Sequence, residues 1–236
     1  MQTCWLFLDF DNSLMATEQY AVPSLIARFN ALYAKQAGRD LTLKEFKQYF
    51  HGQAREMLCH NLSQHFQIEV DYQALYDARE PRIMQHLKAL PEGVEMAPHL
   101  IEALTALRKQ GAILSLVSNN PIQRALCAMR FASNQQGDAL AGLFGTRYFE
   151  AGDVQKPLPD VYLRAMKQVD ARPEKSFAVE DSVTGAKAAV AAGLTTFAFT
   201  GFTEDQDALK KALLAAGCQA SFSDWRNLPQ LLETLL

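Results

Sequence analysis

Trp5-Leu6-Phe7-Leu8-Asp9-Phe10-Asp11-Asn12-Ser13 is a short apolar run that stops abruptly on an acidic turn. Four consecutive apolar residues suit a strand buried on both faces, as in a parallel sheet. Such a strand delivers Asp9 and Asp11 at its carboxyl end. Carboxylates two residues apart in a turn can face different ways and do different work, one attacking and one shuttling protons. Read alone, the same residues are equally a polar turn that ends a strand through side-chain hydrogen bonds.

Outward from this stretch the chain first turns helical. Leu25, Ile26, Phe29, Leu32 and Tyr33 recur at helical spacing, Leu58 and Leu62 continue a helical stripe, and no convincing strand lies between residues 16 and 89. Pro91, Gly93 and Pro98 punctuate the return to alternation. Leu100, Ile101, Leu104 and Leu107 form a helical face that leads to a buried strand, Ile113-Leu114-Ser115-Leu116-Val117, ended by Ser118-Asn119. Helical segments follow over residues 123–130 and 160–169, and Phe177-Ala178-Val179 makes a strand ended by Glu180-Asp181. An alanine-rich helix closes at Gly193, residues 196–199 supply another strand, and the tail from residue 207 is mostly helical with a strand-like piece at residues 220–222. This rhythm predicts an α/β fold, a doubly wound parallel sheet whose ligand site lies beyond the carboxyl ends of its strands. Three sets of polar residues then meet at one sheet edge: Asp9 and Asp11, Ser118 and Asn119, Glu180 and Asp181.

Composition narrows the function classes. With 49% of 236 residues apolar the chain can bury a sizeable core, and a formal charge of −3 without any basic run argues against nucleic-acid or anionic-membrane partners. Cys4, Cys59, Cys127 and Cys218 are scattered, with no zinc-like or disulfide-scaffold spacing, which suits reduced thiols. The apolar run at residues 5–8 has no basic lead and breaks at Asp9, too short for a signal peptide or a membrane span. A soluble, cytoplasmic and monomeric protein is expected.

Three or four carboxylates at one edge repel unless a cation or protons neutralise them, and a hard divalent ion is the simplest solution. Magnesium fits a site with few dedicated ligands, because it prefers oxygen donors, keeps several waters and bridges carboxylate to phosphate. Asp181-Ser182 is also a natural N-cap for the helix that follows. Ser118 and Asn119, at a strand-to-helix opening, can hold phosphate oxygens with hydroxyl, amide and backbone N–H groups, or merely cap the helix. Lys156 stands before Pro157-Leu158-Pro159-Asp160 at a rigid helix entry, where it is either a surface charge or a cation aimed at the site.

Together these pieces resemble the four motifs of the haloacid dehalogenase superfamily, in order over nearly the whole chain. The first resembles Phe7-Leu8-Asp9-Phe10-Asp11-Asn12-Ser13-Leu14, the second Leu116-Val117-Ser118-Asn119 and the third Lys156-Pro157-Leu158-Pro159-Asp160. The fourth resembles Val179-Glu180-Asp181-Ser182-Val183-Thr184-Gly185-Ala186. The wording is similar to the branch that holds beta-phosphoglucomutase and bacterial sugar-phosphate phosphatases, including the 6-phosphogluconate phosphatase type. The resemblance implies a Rossmann-like core over residues 1–15 and 91–236 and an inserted helical cap over residues 16–90. It implies that Asp9 attacks phosphorus to form an aspartyl-phosphate, while Asp11 protonates the leaving oxygen and then activates water. It further implies Mg2+ held by Asp9, the Asp11 backbone carbonyl and Asp181, with Glu180 as an outer or water-mediated partner, and phosphoryl oxygens bound by Ser118 and Lys156. Asn12 and Ser13 replace the family's usual Gly and Thr; Asn tolerates positive φ and Ser keeps the hydroxyl, so no reacting group is lost.

Asp11 also separates relatives, since dehalogenases of the superfamily lack this acid/base carboxylate and phosphonatases usually replace it. The expected substrate is a small phosphorylated metabolite such as a sugar phosphate or phosphogluconate. In the cap, Phe50-His51-Gly52-Gln53-Ala54-Arg55-Glu56 resembles a family loop whose Arg would grip a second anionic group, although Arg55 is equally a helix-surface residue paired with an acid. His51, His60 and His65 form no metalloprotease-like pair and are expected to be ordinary cap residues. A phosphomutase keeps every motif and differs in shielding the aspartyl-phosphate from water. A receiver-like signalling domain shares the acidic strand ends but lacks the long insertion and Lys156-Pro157.

Overall fold

β1 (Trp5–Leu8) lies at the centre of the sheet, with Leu6, Phe7 and Leu8 fully buried. The computed structural model describes residues 3–50 and 55–235, the side chains of Arg55 and Glu56 excepted. Five further strands complete the sheet: β2 (Ile113–Ser118), β3 (Tyr148–Glu150), β4 (Ser176–Glu180), β5 (Thr195–Phe199) and β6 (Ala220–Phe222). Their order is β3-β2-β1-β4-β5-β6 and every pairing is parallel, the doubly wound arrangement. Connections leave β1 in opposite directions, so the crevice for a ligand opens between β1 and β4 at their carboxyl ends.

The chain divides into two compact units, residues 1–17 with 90–236, and residues 18–89 inserted between them. The inserted unit has helices and no strand among its described residues, with α1 (Glu18–Ala37), α2 (Leu43–Tyr49), α3 (Arg55–Phe66), α4 (Tyr72–Tyr76) and α5 (Arg79–Lys88). Its own core gathers Ile26, Phe29, Tyr33, Phe46, Leu58, Leu62 and Leu75, the apolar stripe that follows the 3.6-residue period. The sheet unit carries α6 (Leu100–Lys109), α7 (Ile122–Arg130), α8 (Gly137–Phe144), α9 (Asp160–Gln168), α10 (Val183–Ala191), α11 (Gln206–Ala215) and α12 (Leu228–Glu233). Phe7, Val117 and Ala178 of three adjacent strands pack with Val161, Tyr162 and Ala165 of α9 and Ala188 and Ala189 of α10. The alanines are small enough to let α10 lie close to the sheet. Among the described residues no helix is long and apolar enough to cross a membrane.

Two elements escape a reading of the sequence. β3 has only three residues, of which Phe149 alone is buried, too short to show a period. α8 contains Gly137 and Gly142, which read as loop residues. Gly137 is there for packing: a Cβ would stand 1.6 Å from the Met129 carbonyl oxygen on α7.

Register sets up the site. Leu8 is opposite Leu116 on one side and Val179 on the other, so one step further Asp9 is level with Val117 and Glu180. Because this alignment depends on a tightly packed central strand, Leu6→Ala should cost about 2–5 kcal/mol, read by urea denaturation. A loss below about 1 kcal/mol would show that the site rests on something other than β1 packing.

Candidate active site

Asp9 is fixed first by its backbone, whose N–H donates to the Val179 carbonyl at 3.0 Å. After Phe10 the chain folds back on itself: the Leu14 N–H donates to the Phe10 carbonyl at 3.0 Å and the Asn12 N–H to the Met15 carbonyl at 2.8 Å. The turn requires a left-handed residue, and Asn12 takes φ 55° there. The side chains of Asp9 and Asp11 consequently meet different surroundings.

Lys156 is buried and its ammonium serves the three register-aligned positions at once. Nζ donates to Asp9 Oδ1 at 2.7 Å, to Glu180 Oε1 at 2.7 Å and to the Val117 carbonyl at 3.0 Å. The backbone of Lys156 is clamped by Asn119, whose Oδ1 accepts its N–H at 2.8 Å and whose Nδ2 donates to its carbonyl at 3.4 Å. The structure therefore engages the Asn119 amide in holding Lys156. Tyr162 on α9 donates its hydroxyl to Glu180 Oε1 at 2.5 Å. Gly185 lies against the same carboxylate, and a Cβ there would stand 1.9 Å from Glu180 Oε2.

On β4's far end the helix α10 is capped by Ser182, whose Oγ accepts the Gly185 N–H at 3.0 Å. That leaves the half-buried Asp181 carboxylate to the site, where Ser13 Oγ donates to Oδ1 at 3.2 Å. Carboxylate oxygens of Asp9, Glu180 and Asp181 all lie within 4.8 Å of one another. This donor set is hard and anionic, and it fits a hard divalent cation. One lysine does not neutralise three such groups.

The Asp11 carboxylate sits in a bracket of donors. Oδ1 accepts from Arg124 Nη2 at 2.9 Å and Thr17 Oγ1 at 2.5 Å, and Oδ2 from Asn120 Nδ2 at 2.8 Å and Ser118 Oγ at 3.4 Å. Burial pushes the Asp11 carboxyl up, but Arg124 with the Thr17 and Asn120 hydrogen bonds outweighs it and holds the group below the ordinary carboxylate range. Asp9 goes the other way: burial, with Glu180 and Asp11 nearby, raises it well above that range against the pull of Lys156. Burial lowers Lys156, yet Asp9 and Glu180 dominate and keep it firmly protonated.

Asp9, Asp11, Ser118, Asn119, Lys156, Glu180 and Asp181 are thus brought to one sheet edge. Arg55 opens α3, but its side chain lies outside the described residues, as does His51. His60 lies 2.9 Å from Gln64 and His65 2.7 Å from Glu45, contacts within the helical unit. Sequence reading misses Arg124, Asn120, Thr17 and Tyr162. Arg124 and Tyr162 sit where helix periodicity reads them as face residues, and only their burial sets them apart.

The family model for haloacid dehalogenase-like hydrolases matches residues 6–199. Protein CbbY of Cereibacter sphaeroides is 28% identical over 132 residues, covering 53% of this chain and 54% of that protein, so the chain matches about half the length of this relative. A family hydrolase from Deinococcus radiodurans, solved with bound phosphate and sodium, is 25% identical with a TM-score of 0.71, covering 99% of this chain and 96% of that one. CbbY from Rhodobacter sphaeroides in complex with xylulose-(1,5)bisphosphate shares the fold at 18% identity and a TM-score of 0.70, covering 95% of each chain.

Two outcomes follow from the geometry. The raised Asp9 value means that the folded chain binds a proton the unfolded chain releases, so stability is lost as pH climbs from the ordinary carboxylate value of about 4. In chelator at neutral pH, Asp9→Asn should therefore raise the thermal midpoint, and the gain should shrink towards pH 4; an unchanged or lower midpoint at neutral pH contradicts this. Gly185→Ala should drive the Glu180 carboxylate from its partners and lower stability by about 1–3 kcal/mol in denaturant titration, whereas a neutral effect would mean that Glu180 is free to yield.

Proposed function

The chain belongs to the haloacid dehalogenase-like hydrolases, and on that premise we propose that it is a magnesium-dependent phosphatase of a small phosphorylated metabolite, with Asp9 as nucleophile. One observation carries the reading. The Asp9 carboxylate stands at the end of the central strand with the Lys156 ammonium on one oxygen, inside a cluster with Glu180 and Asp181. A carboxylate nucleophile alone would also suit glycoside hydrolysis, but there the group attacked carries no anionic oxygens that call for an ammonium beside it. An incoming phosphoryl group needs it, because the nucleophile and the positive charge for its oxygens stand together.

In the first step an Asp9 oxygen bonds to phosphorus as the ester P–O bond breaks, and the leaving oxygen takes a proton from Asp11. In the second, water adds to phosphorus, gives its proton to Asp11 and releases Asp9 with inorganic phosphate. Lys156 lowers the repulsion between the Asp9 carboxylate and the anionic ester, and Ser118 donates to phosphoryl oxygens. Mg2+ would be held by Asp9, Asp181 and the Asp11 carbonyl, with Glu180 behind, and supplies positive charge against the transferring group. The unit at residues 18–89 is the inserted cap in this reading. A sugar phosphate or phosphogluconate-like ester is the favoured substrate class, supported by the motif wording and by the sugar bisphosphate bound to CbbY.

The test is phosphate release from sugar phosphates, phosphogluconate, nucleotides and phosphoglycolate, with magnesium and with chelator. Release from a few related esters that stops on chelation is expected, and Asp9→Asn should lower it by about 10³-fold or more. Asp9→Asn with near-native turnover would overturn the nucleophile assignment. Failure on every ester, with a bisphosphate-activated conversion of a sugar 1-phosphate, would replace the phosphatase by a mutase.

A further inference from the structure

Lys156 enters the proposed chemistry with no N–H to spare. An ammonium has three, and at rest all are taken, by Asp9 Oδ1 at 2.7 Å, Glu180 Oε1 at 2.7 Å and the Val117 carbonyl at 3.0 Å. To donate to a phosphoryl oxygen, as the proposed function requires, Lys156 must let go of one. The three releases are not equivalent. Among the described residues, Glu180 Oε1 is the one acceptor of the three to which a second side chain donates, the Tyr162 hydroxyl at 2.5 Å. Leaving Glu180 therefore leaves a hydrogen-bonded carboxylate behind, whereas leaving Asp9 removes the positive charge that screens the nucleophile from an anionic ester. Tyr162 is suited to stand in. It is fully buried in the first turn of α9, packed with Phe7 and Val117, and its hydroxyl makes no other hydrogen bond among the described residues. The other oxygen of Glu180 has only Ser182 Oγ at 3.4 Å, too long to replace it.

We propose that Tyr162 is a positioning residue that keeps the Glu180 carboxylate hydrogen-bonded while Lys156 turns from it to a phosphoryl oxygen of the substrate. The inference rests on Lys156 acting as a phosphate ligand in the proposed function. Its consequence appears in ligand binding. Without the hydroxyl, Lys156 is the one close donor left to Glu180, and any ligand that draws it off strands a fully buried carboxylate oxygen. That penalty belongs to the bound state and is absent from the free protein. Lys156 faces a phosphoryl group in the bound ester and in the transition state alike, so the loss is one of uniform binding. Phenylalanine isolates the hydroxyl, because Lys156 Nζ also lies 5.0 Å from the Tyr162 ring centroid and an aromatic face would remain beneath it.

The experiment compares the full-length wild type and Tyr162→Phe in saturating magnesium, by calorimetric binding of inorganic phosphate and by kcat and KM on an ester the wild type hydrolyses. The phosphate dissociation constant and KM should each rise about tenfold, with kcat little changed. A hydroxyl that merely supports the fold would lower the thermal midpoint or kcat and leave phosphate binding where it was. An unchanged phosphate constant therefore overturns the positioning role and leaves the phosphatase reading intact. If the wild type neither binds phosphate nor releases it from any ester, the phosphatase reading fails and the inference with it. A structure of the wild type with magnesium and phosphate needs no variant. It should show Lys156 Nζ on a phosphate oxygen and out of reach of Glu180 Oε1, with the Tyr162 hydroxyl still on that oxygen. Lys156 still bonded to Glu180 Oε1 would overturn the inference.

Discussion

A buried ammonium joins three strand ends that share no sequence neighbourhood. Lys156 reaches Asp9 after β1, the Val117 carbonyl in β2 and Glu180 at the end of β4, and these positions are level in the sheet register. Burying carboxylates without a counter-charge is costly enough to unfold or neutralise them, so the arrangement depends on this cation being where it is. The rest of the site follows from the need to place it. Asn119 clamps the Lys156 backbone, Tyr162 supports the shared Glu180 carboxylate, and Gly185 leaves room for that carboxylate beside α10. A one-residue slip of β1 would turn Asp9 to the other face and leave the lysine without its partner.

The two aspartates of the first turn are driven apart by these surroundings. Asp9 is buried among like charges and resists ionisation, while Asp11 is held ionised by Arg124 and neutral donors. Each resting state is opposite to the proposed task, since a nucleophile must be ionised and an acid protonated when the ester reacts. A bound divalent cation inverts the local balance at a carboxylate. In the proposed function, a divalent cation held by Asp9 and Asp181 would favour the ionised Asp9 that attack on phosphorus requires. Asp11, held ionised at rest, must take up a proton before it can give one to a leaving oxygen, and the negative charge of a bound phosphate ester favours that uptake.

Much of this was legible from residue order alone. Trp5-Leu6-Phe7-Leu8 announces a strand buried on both faces, and the polar residues after three such strands gather at one edge because parallel strands point the same way. The left-handed turn at Asn12 was readable too, since few other residues tolerate it. The short strand β3 was not, and neither was α8, whose Gly137 serves close helix packing while looking like a loop residue. Arg124 and Tyr162 were hidden for a related reason. A polar residue on a helix reads as solvated, and only the fold shows that these two point inward to Asp11 and Glu180.

The most direct test of the central claim, covalent attack by Asp9, is to trap the intermediate. The protein would be quenched during turnover of a substrate ester with magnesium, treated with borohydride, which reduces an acyl phosphate to the alcohol, and digested for mass spectrometry. Homoserine at position 9, dependent on substrate and on the metal, is the result the account predicts. An unmodified Asp9 with the reduced residue elsewhere in the chain would contradict it.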